Sequence, residues 1–167
     1  MINLARLSVS TPTDTQIVMS RAFNAARRLV WDAMTKPELI RRWLYCPDGW
    51  EMTRCDEDVR VGGRYNWEWN GPDGKLALAI RGEYREVSPP DRVVRTEVME
   101  MPGMPQPGEM VSTMELIEKH GVTTMRLTMV FPSKQTRDAA LASGMERGME
   151  AGYAKLDAFL AERAGGR

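Results

Sequence analysis

The sequence predicts an α+β protein with two short helices near the start, an antiparallel sheet, and one long helix at the end. One strand pattern comes first and is followed by two short amphipathic segments. Apolar and polar residues then alternate from about residue 50 to residue 131, as in strands with one buried face. Helix-forming residues continue from residue 134 to about residue 163. We expect one domain at residues 15–163, preceded by a flexible tail at residues 1–14.

The first strand and the two short helices have recognisable boundaries. Residues 16–23 alternate and predict a strand. Asn24 is expected to cap the next helix, in which apolar residues recur at spacings of three and four. Thr35 and Glu38 have the spacing of a capping box, which predicts the start of the second helix at Thr35.

Six further strands are predicted between residues 50 and 131, joined by short turns. Residues 70–74 read Asn-Gly-Pro-Asp-Gly, which favours a tight hairpin. Residues 101–108 contain three prolines and two glycines and predict a loop. The last two strands are expected at residues 109–118 and 122–131, with His120 in the turn between them.

The final segment predicts one continuous helix with Ser133 as its N-cap. Its apolar stripe consists of Leu141, Met145, Met149, Tyr153, Leu156 and Leu160. Gly144, Gly148 and Gly152 recur every four residues, although a glycine inside a helix costs about 0.8–1 kcal/mol relative to alanine. These glycines either leave room for a ligand, allow the helix to pack closely on the sheet, or are exposed to solvent.

Composition excludes several classes of function. Lys plus Arg and Asp plus Glu both number 23, so no net charge recruits nucleic acid or an anionic membrane. No apolar run is long enough for a signal peptide or a membrane span, and we expect a cytoplasmic protein. Cys46 and Cys55 are too few for a disulfide framework, and with one histidine they make no convincing metal site. We therefore predict no metal and no cofactor.

Several segments, in order along the chain, resemble one known group of proteins. They are Arg21-Ala22-Phe23, Leu29-Val30-Trp31-Asp32-Ala33, residues 35–43, Val61-Gly62-Gly63-Arg64-Tyr65, Gly71-Pro72-Asp73-Gly74, residues 82–94 and residues 140–149. The chain resembles the SRPBCC superfamily, which includes START domains and the major birch-pollen allergen, from about residue 16 to residue 160. Within it, the segments resemble the branch similar to the C-terminal domain of activators of the heat-shock protein 90 ATPase.

This resemblance implies a helix-grip fold, in which a curved antiparallel sheet of about six or seven strands wraps around the long C-terminal helix. Such a sheet leaves a cavity that side chains fill only partly, and concave apolar cavities are the default ligand sites. The resemblance therefore implies binding of a small hydrophobic or aromatic molecule by a monomer or homodimer. The alternatives are an enzyme, such as a cyclase, hydrolase or lyase, in the same cavity, and a module that contacts the chaperone.

The candidate cavity walls are aromatic and methionine side chains on the apolar faces of the predicted elements. Aromatic rings offer a large contact area with one polar handle, and methionine adapts to irregular shapes. The candidate ligand-binding residues are Tyr65, Trp67, Trp69, Tyr84, Met114, Leu116, Met125, Met145, Gly148, Met149 and Tyr153.

No catalytic residue is predicted. His120 lies in a predicted turn, where a solvated role is expected. The strand carboxylates Glu68, Glu83, Glu97 and Glu115 have mostly the parity of the polar face and are expected in solvent. An enzyme would need a buried carboxylate, which the sequence pattern does not locate.

Overall fold

A computed structural model describes residues 6–165, which form eight strands and four helices. The strands are β1 Ser8–Ser10, β2 Gln16–Phe23, β3 Glu51–Glu57, β4 Arg64–Asn70, β5 Leu76–Ser88, β6 Arg92–Glu100, β7 Glu109–Lys119 and β8 Val122–Val130. The helices are α1 Arg27–Thr35, α2 Pro37–Trp43, α3 Lys134–Ala142 and α4 Met145–Gly165.

The strands form one sheet in the order β1-β2-β8-β7-β6-β5-β4-β3, and every neighbouring pair is antiparallel. Strand β2 lies beside β8, so the first long strand pairs with the last one. The open sheet wraps around α4, which buries Tyr153, Leu156, Phe159 and Leu160. This confirms the α+β helix-grip architecture that the sequence predicted.

The sheet has eight strands because β1 lies within residues 1–14, the segment predicted as a flexible tail. Ser8–Ser10 pairs with Val18 to Ser20 of β2. Leu7 is buried, and its backbone N–H donates to Glu150 Oε2 on α4 at 2.9 Å. A three-residue strand of serine and valine is too short to show a period, which is why the pattern missed it.

The prediction of one continuous C-terminal helix is wrong, because a turn at Ser143 and Gly144 separates α3 from α4. Gly144 has a φ of +82°, a left-handed conformation that right-handed helix cannot include and that glycine adopts without strain. Gly144 therefore belongs to a turn, and its absent side chain is explained by backbone conformation.

The predicted helix caps divide into one that is confirmed and two that are wrong. Ser133 caps α3, since its hydroxyl accepts from the Thr136 backbone N–H at 3.1 Å. The N-cap of α1 is Ala26 and not Asn24, and the N-cap of α2 is Lys36 and not Thr35, in both cases without a side-chain cap. Pro37 at the first turn of α2 needs no N–H partner, which reduces the need for such a cap.

A buried arginine joins the sheet to α4. The Arg21 guanidinium on β2 donates to both carboxylate oxygens of Asp157, at 2.9 and 2.7 Å, and to Glu150 at 3.3 Å. It also lies over the rings of Phe23 and Tyr153, at 4.9 and 5.9 Å from their centroids. Bidentate pairing of this kind fixes geometry as well as charge, so it sets the position of α4 across the sheet.

Candidate ligand-binding cavity

A cavity of about 460 Å³ lies between the inner face of the sheet and the helices. Strands β4 to β8 form one wall, and α2, residues 44–50 and the first half of α4 form the other. Its volume is within the range of cavities that hold small organic molecules. Nine methionines line it, namely Met34, Met99, Met101, Met110, Met114, Met125, Met129, Met145 and Met149.

Most of the side chains predicted as cavity walls do line this space. They are Trp67, Trp69, Tyr84, Met114, Met125, Met145, Gly148, Met149 and Tyr153. The strand and helix periods placed these residues on the inner faces, because alternate residues of a strand share one face. Their role in binding a ligand stays a prediction.

Two of the predicted wall residues, Tyr65 and Leu116, are buried but do not line the cavity. The Tyr65 ring packs between Trp67 and Tyr84, with centroid distances of 5.5 and 5.7 Å. Its hydroxyl donates to the Thr96 carbonyl at 2.8 Å. Tyr65 therefore supports the cavity wall from behind, through its contacts with Trp67 and Tyr84.

The close approach of Tyr65 requires Gly82 on the neighbouring strand. A Cβ at Gly82 would lie 2.7 Å from the Tyr65 ring and 1.8 Å from the Thr96 carbonyl oxygen. Glycine thus lets β5 and the aromatic ring meet without a clash.

The cavity is open to solvent where three segments meet. The exposed residues of its lining are Tyr45 after α2, Met99 and Met101 at the end of β6, and Ser143 and Gly144 between the two last helices. The break in the C-terminal helix therefore forms part of the entrance, which the prediction of a continuous helix did not anticipate.

Two charged residues of the cavity wall were missed. Arg95 and Glu97 both line it, so the expectation that Glu97 faces solvent is wrong. The sequence contained a signal for this, because Val93 and Met99 have the same parity on β6 and also line the cavity. The carboxylates of Glu68, Glu83 and Glu115 do not line the cavity.

Arg95 and Glu97 belong to a buried cluster with Glu57, which we call the charged cluster. The Arg95 guanidinium carbon lies 4.3 Å from the Tyr65 ring centroid and 4.9 Å from that of Trp67. Its Nη2 is 3.7 Å from Glu97 Oε2. Glu57 Oε1 accepts from the Trp67 indole N–H at 2.9 Å, and Oε2 accepts from the Tyr84 hydroxyl.

The environment raises the pKa of both carboxyl groups in the charged cluster. Burial raises the pKa of Glu57, although Arg95 and the hydrogen bonds from Tyr84 and Trp67 oppose it. Burial likewise raises the pKa of Glu97, against the opposing effects of Arg95 and Tyr65. Removing a carboxylate from water disfavours its charged form, and the few partners present here do not fully compensate.

The helix glycines have different surroundings. A Cβ at Gly148 would lie 3.3 Å from the Tyr45 ring, and one at Gly152 would lie 3.3 Å from both Trp43 O and Tyr45 N. Both glycines therefore lie close to residues 43–45, whereas the predicted alternative of close packing placed the contact on the sheet. Gly148 also lines the cavity.

Other chemical signals in the described part of the chain are weak. His120 is exposed in the β7–β8 turn, as predicted, with a φ of 52°. Within residues 6–165, no three His, Cys, Asp or Glu side chains are arranged to hold a metal ion. The helices of this region are also too short or too polar to cross a membrane.

Solved structures of bacterial proteins are similar to this chain over nearly its whole length. A crystal structure from Rhodobacter sphaeroides is 30% identical with a TM-score of 0.85, and the match covers 93% of this chain and 98% of that one. A solution structure from Staphylococcus epidermidis is 25% identical with a TM-score of 0.75, covering 93% and 94%. One from Mycobacterium smegmatis, 21% identical with a TM-score of 0.78 and covering 92% and 96%, shows the fold alone.

No curated protein matches this chain in sequence. The model of the family described as Activator of Hsp90 ATPase homolog 1-like protein matches residues 24–161, which is most of the chain. That span includes both short helices, strands β3 to β8 and the part of α4 that closes the cavity. The chain therefore belongs to the Activator of Hsp90 ATPase homolog 1-like family.

Proposed function

We propose that this protein binds a small hydrophobic or aromatic molecule in the cavity between its sheet and α4. The observation that carries the proposal is the cavity itself, about 460 Å³ of space with a mainly apolar lining and an opening to solvent. Protein cores that hold no ligand pack to nearly the density of an organic crystal, because unfilled space loses dispersion contacts.

The composition of the wall favours an aromatic or irregularly shaped ligand. Trp67 and Trp69 meet edge to face at a centroid distance of 6.5 Å, and Trp43 stacks on Tyr153 at 5.7 Å. These rings are held in place and form flat surfaces on which another ring can pack. The methionine side chains of the lining are flexible and can adjust to the outline of the ligand.

The proposal is tested with the neutral fluorescent compound N-phenyl-1-naphthylamine. We expect a saturable rise in its fluorescence and a higher melting temperature of the protein, since a ligand bound only by the native state stabilises it. Leu127→Trp, on the cavity wall, should weaken binding by about tenfold or more because the indole occupies the space. Circular dichroism confirms that the variant is folded.

The matched control is Ile117→Trp. Ile117 is a strand residue like Leu127, but it is exposed and lies outside the cavity. The same apolar-to-Trp change should leave the affinity unchanged there. Binding that is lost equally in both variants, or absent in the unmodified protein, contradicts a ligand site in this cavity.

Catalysis in the same cavity is a second candidate function, favoured by Glu97. A carboxyl with a raised pKa beside a guanidinium can donate or accept a proton at a pH above the ordinary titration range of glutamate. An enzyme converts the bound compound, so mass spectrometry of the ligand after incubation separates it from a carrier. Glu97→Gln would then abolish conversion while the bound amount stays unchanged.

Contact with a chaperone is the third candidate and is supported by the family match alone. An Hsp90-type ATPase should then hydrolyse ATP faster when the purified chain is added. Leu127→Trp would leave that stimulation intact, since the substitution fills the interior and does not alter the surface.

A further inference from the structure

The charged cluster contains two carboxyl groups and one guanidinium. Glu57 and Glu97 supply the carboxyls and Arg95 the guanidinium. Among the described residues, Arg95 and Glu97 are the only charged ones in the lining of the cavity, with side-chain exposures of 18% and 17%. If both carboxyls are ionised, this end of the cavity is one positive charge short of balance.

Glu57 and Glu97 differ in how well they are satisfied. Glu57 accepts hydrogen bonds from Trp67 and Tyr84, one on each oxygen. Glu97 has only long contacts, with Tyr65 Oη at 3.4 Å and with Arg95 Nη2 at 3.7 Å. Tyr65 also gives its better hydrogen bond to Thr96. Glu97 is therefore the carboxyl whose charge is left without a strong partner, and it faces the cavity.

The other titratable groups near Glu97, within the described residues, are either protonated tyrosines or an arginine with carboxylate partners. Tyr65 and Tyr84, on β4 and β5, are held protonated because burial raises the pKa of each hydroxyl well above its usual range. Tyr153 faces it from α4 and is protonated for the same reason. Arg21, beyond Tyr153, is already paired with Asp157 and Glu150. Within residues 6–165, no further side chain supplies a positive charge to Glu97, so either a proton or a cation from a ligand balances it.

We propose that the cavity selects an apolar or aromatic molecule that carries one basic amine, and that the ammonium group pairs with Glu97 beside Arg95. This inference rests on the proposed function and names the class of ligand. An ammonium balances the charged cluster, and a buried charge is tolerated only when it is paired. The ring of Tyr84 also lines the cavity, and aromatic rings attract cations. An anionic ligand would instead add a second unbalanced negative charge.

The test compares three compounds that share one ring system and differ in charge. These are 1-methylnaphthalene, which is neutral, 1-naphthylmethylamine, which is cationic, and 1-naphthoate, which is anionic. Their affinities for the full chain are measured by calorimetry at neutral pH. We expect the amine to bind about tenfold or more tightly than the neutral compound, and the acid to bind most weakly.

Two variants separate the amine contact from binding in general. Glu97→Gln keeps the shape of the side chain and should reduce the affinity for the amine to that for the neutral compound. Any change in the affinity of this variant for 1-methylnaphthalene should be much smaller than the change for the amine. Glu86→Gln is the matched control, since Glu86 is an exposed strand glutamate outside the cavity, and it should change none of the three affinities.

The pH dependence tests the same contact in the unmodified protein. Only ionised Glu97 pairs with an ammonium, so the affinity for the amine should fall as the pH is lowered toward the pKa of Glu97, which burial raises above its ordinary value. The amine itself stays protonated over this range. The affinity for the neutral compound should not change over this range. In Glu97→Gln the dependence should disappear.

The outcomes distinguish this inference from the proposed function. Equal affinity for the amine and the neutral compound, or tightest binding of the acid, overturns the amine proposal and leaves a ligand-binding cavity. The failure of all three compounds to bind, together with N-phenyl-1-naphthylamine, overturns both. Binding of the amine that Glu97→Gln does not weaken also overturns the proposed contact.

Discussion

At the scale of single residues, the charge of Glu97 is linked to folding because the folded protein buries it. An unfolded glutamate has a pKa of about 4.3. Burial raises the pKa of Glu97 in the folded state. Between these two values the folded state holds its proton more tightly than the unfolded state does. The contribution of Glu97 to stability therefore falls as the pH rises through this window and is lowest above it.

Glu97→Gln removes this titration without changing the side-chain volume. We expect the free energy of unfolding of the variant, relative to the unmodified protein, to increase as the pH rises above about 4, the ordinary pKa of glutamate, and to level off above the raised pKa of Glu97. Urea denaturation followed by circular dichroism at several pH values measures it. Glu86→Gln, at an exposed site, should run parallel to the unmodified protein. A constant difference between Glu97→Gln and the unmodified protein would show that the Glu97 pKa is not raised by folding.

At the scale of elements, three glycines with one spacing have three different surroundings. Gly144 turns the chain between α3 and α4 with a positive φ. Gly148 faces the ring of Tyr45, which is 42% exposed and can move. Gly152 faces two backbone atoms of residues 43–45, which move only if α2 and the following segment shift. Glycines with a regular spacing in sequence thus lie in three different local environments.

Alanine substitutions at the three glycines should change the stability of the protein by different amounts. Gly148→Ala should stabilise the protein by about 0.5–1 kcal/mol, because alanine favours the helix and the Tyr45 ring can move aside. Gly144→Ala should destabilise it by about 1–2 kcal/mol through its left-handed conformation. Gly152→Ala should also destabilise it, since the gain in helix propensity is offset by the backbone contacts at 3.3 Å. Thermal unfolding of the three variants checks the order, and equal effects would contradict it.

At the scale of the whole molecule, the sheet and α4 are joined at several places that lie far apart in sequence. Arg21 binds Asp157 across the interior, and Leu7 donates its N–H to Glu150. The edge strand β1 therefore belongs to the folded unit, because its neighbour Leu7 is buried and contacts the closing helix. The sequence predicted that the domain begins at residue 15. We propose that it begins earlier, before β1.

A deletion measures where the domain begins. Removing residues 1–10 should lower the free energy of unfolding by about 2 kcal/mol or more relative to removing residues 1–5, since only the longer deletion removes the buried Leu7 and β1. Urea denaturation of the two shortened proteins gives the difference. If the two are equally stable, residues 6–10 contribute nothing and the domain starts near residue 15, as first predicted.

Most strands and helices and their buried faces could be predicted because they depend on patterns within short segments, whereas the helix-grip arrangement was implied by the resemblance to the SRPBCC superfamily. The alternation along β4 placed Trp67 and Trp69 inside, and the helical stripe placed Met145, Met149 and Tyr153 on the inner side of α4. Such periods follow from the geometry of one strand or one helix and need no knowledge of the neighbouring elements. The confirmed cap at Ser133 is equally local, since it involves a residue three positions away.

The chemistry of the cavity depended on contacts between distant segments. Glu97 has the same parity as Val93 and Met99, but a carboxylate there is tolerated only because Arg95 lies beside it over the rings of Tyr65 and Trp67. Gly148 and Gly152 are explained by residues 43–45, about a hundred positions earlier in the chain. The sequence was therefore sufficient for the long strands, the fold class and most residues of the cavity wall, but not for β1 or for the break between α3 and α4. The polar end of the cavity and its entrance were decided by the tertiary structure, because burial and charge pairing depend on residues that are distant in sequence.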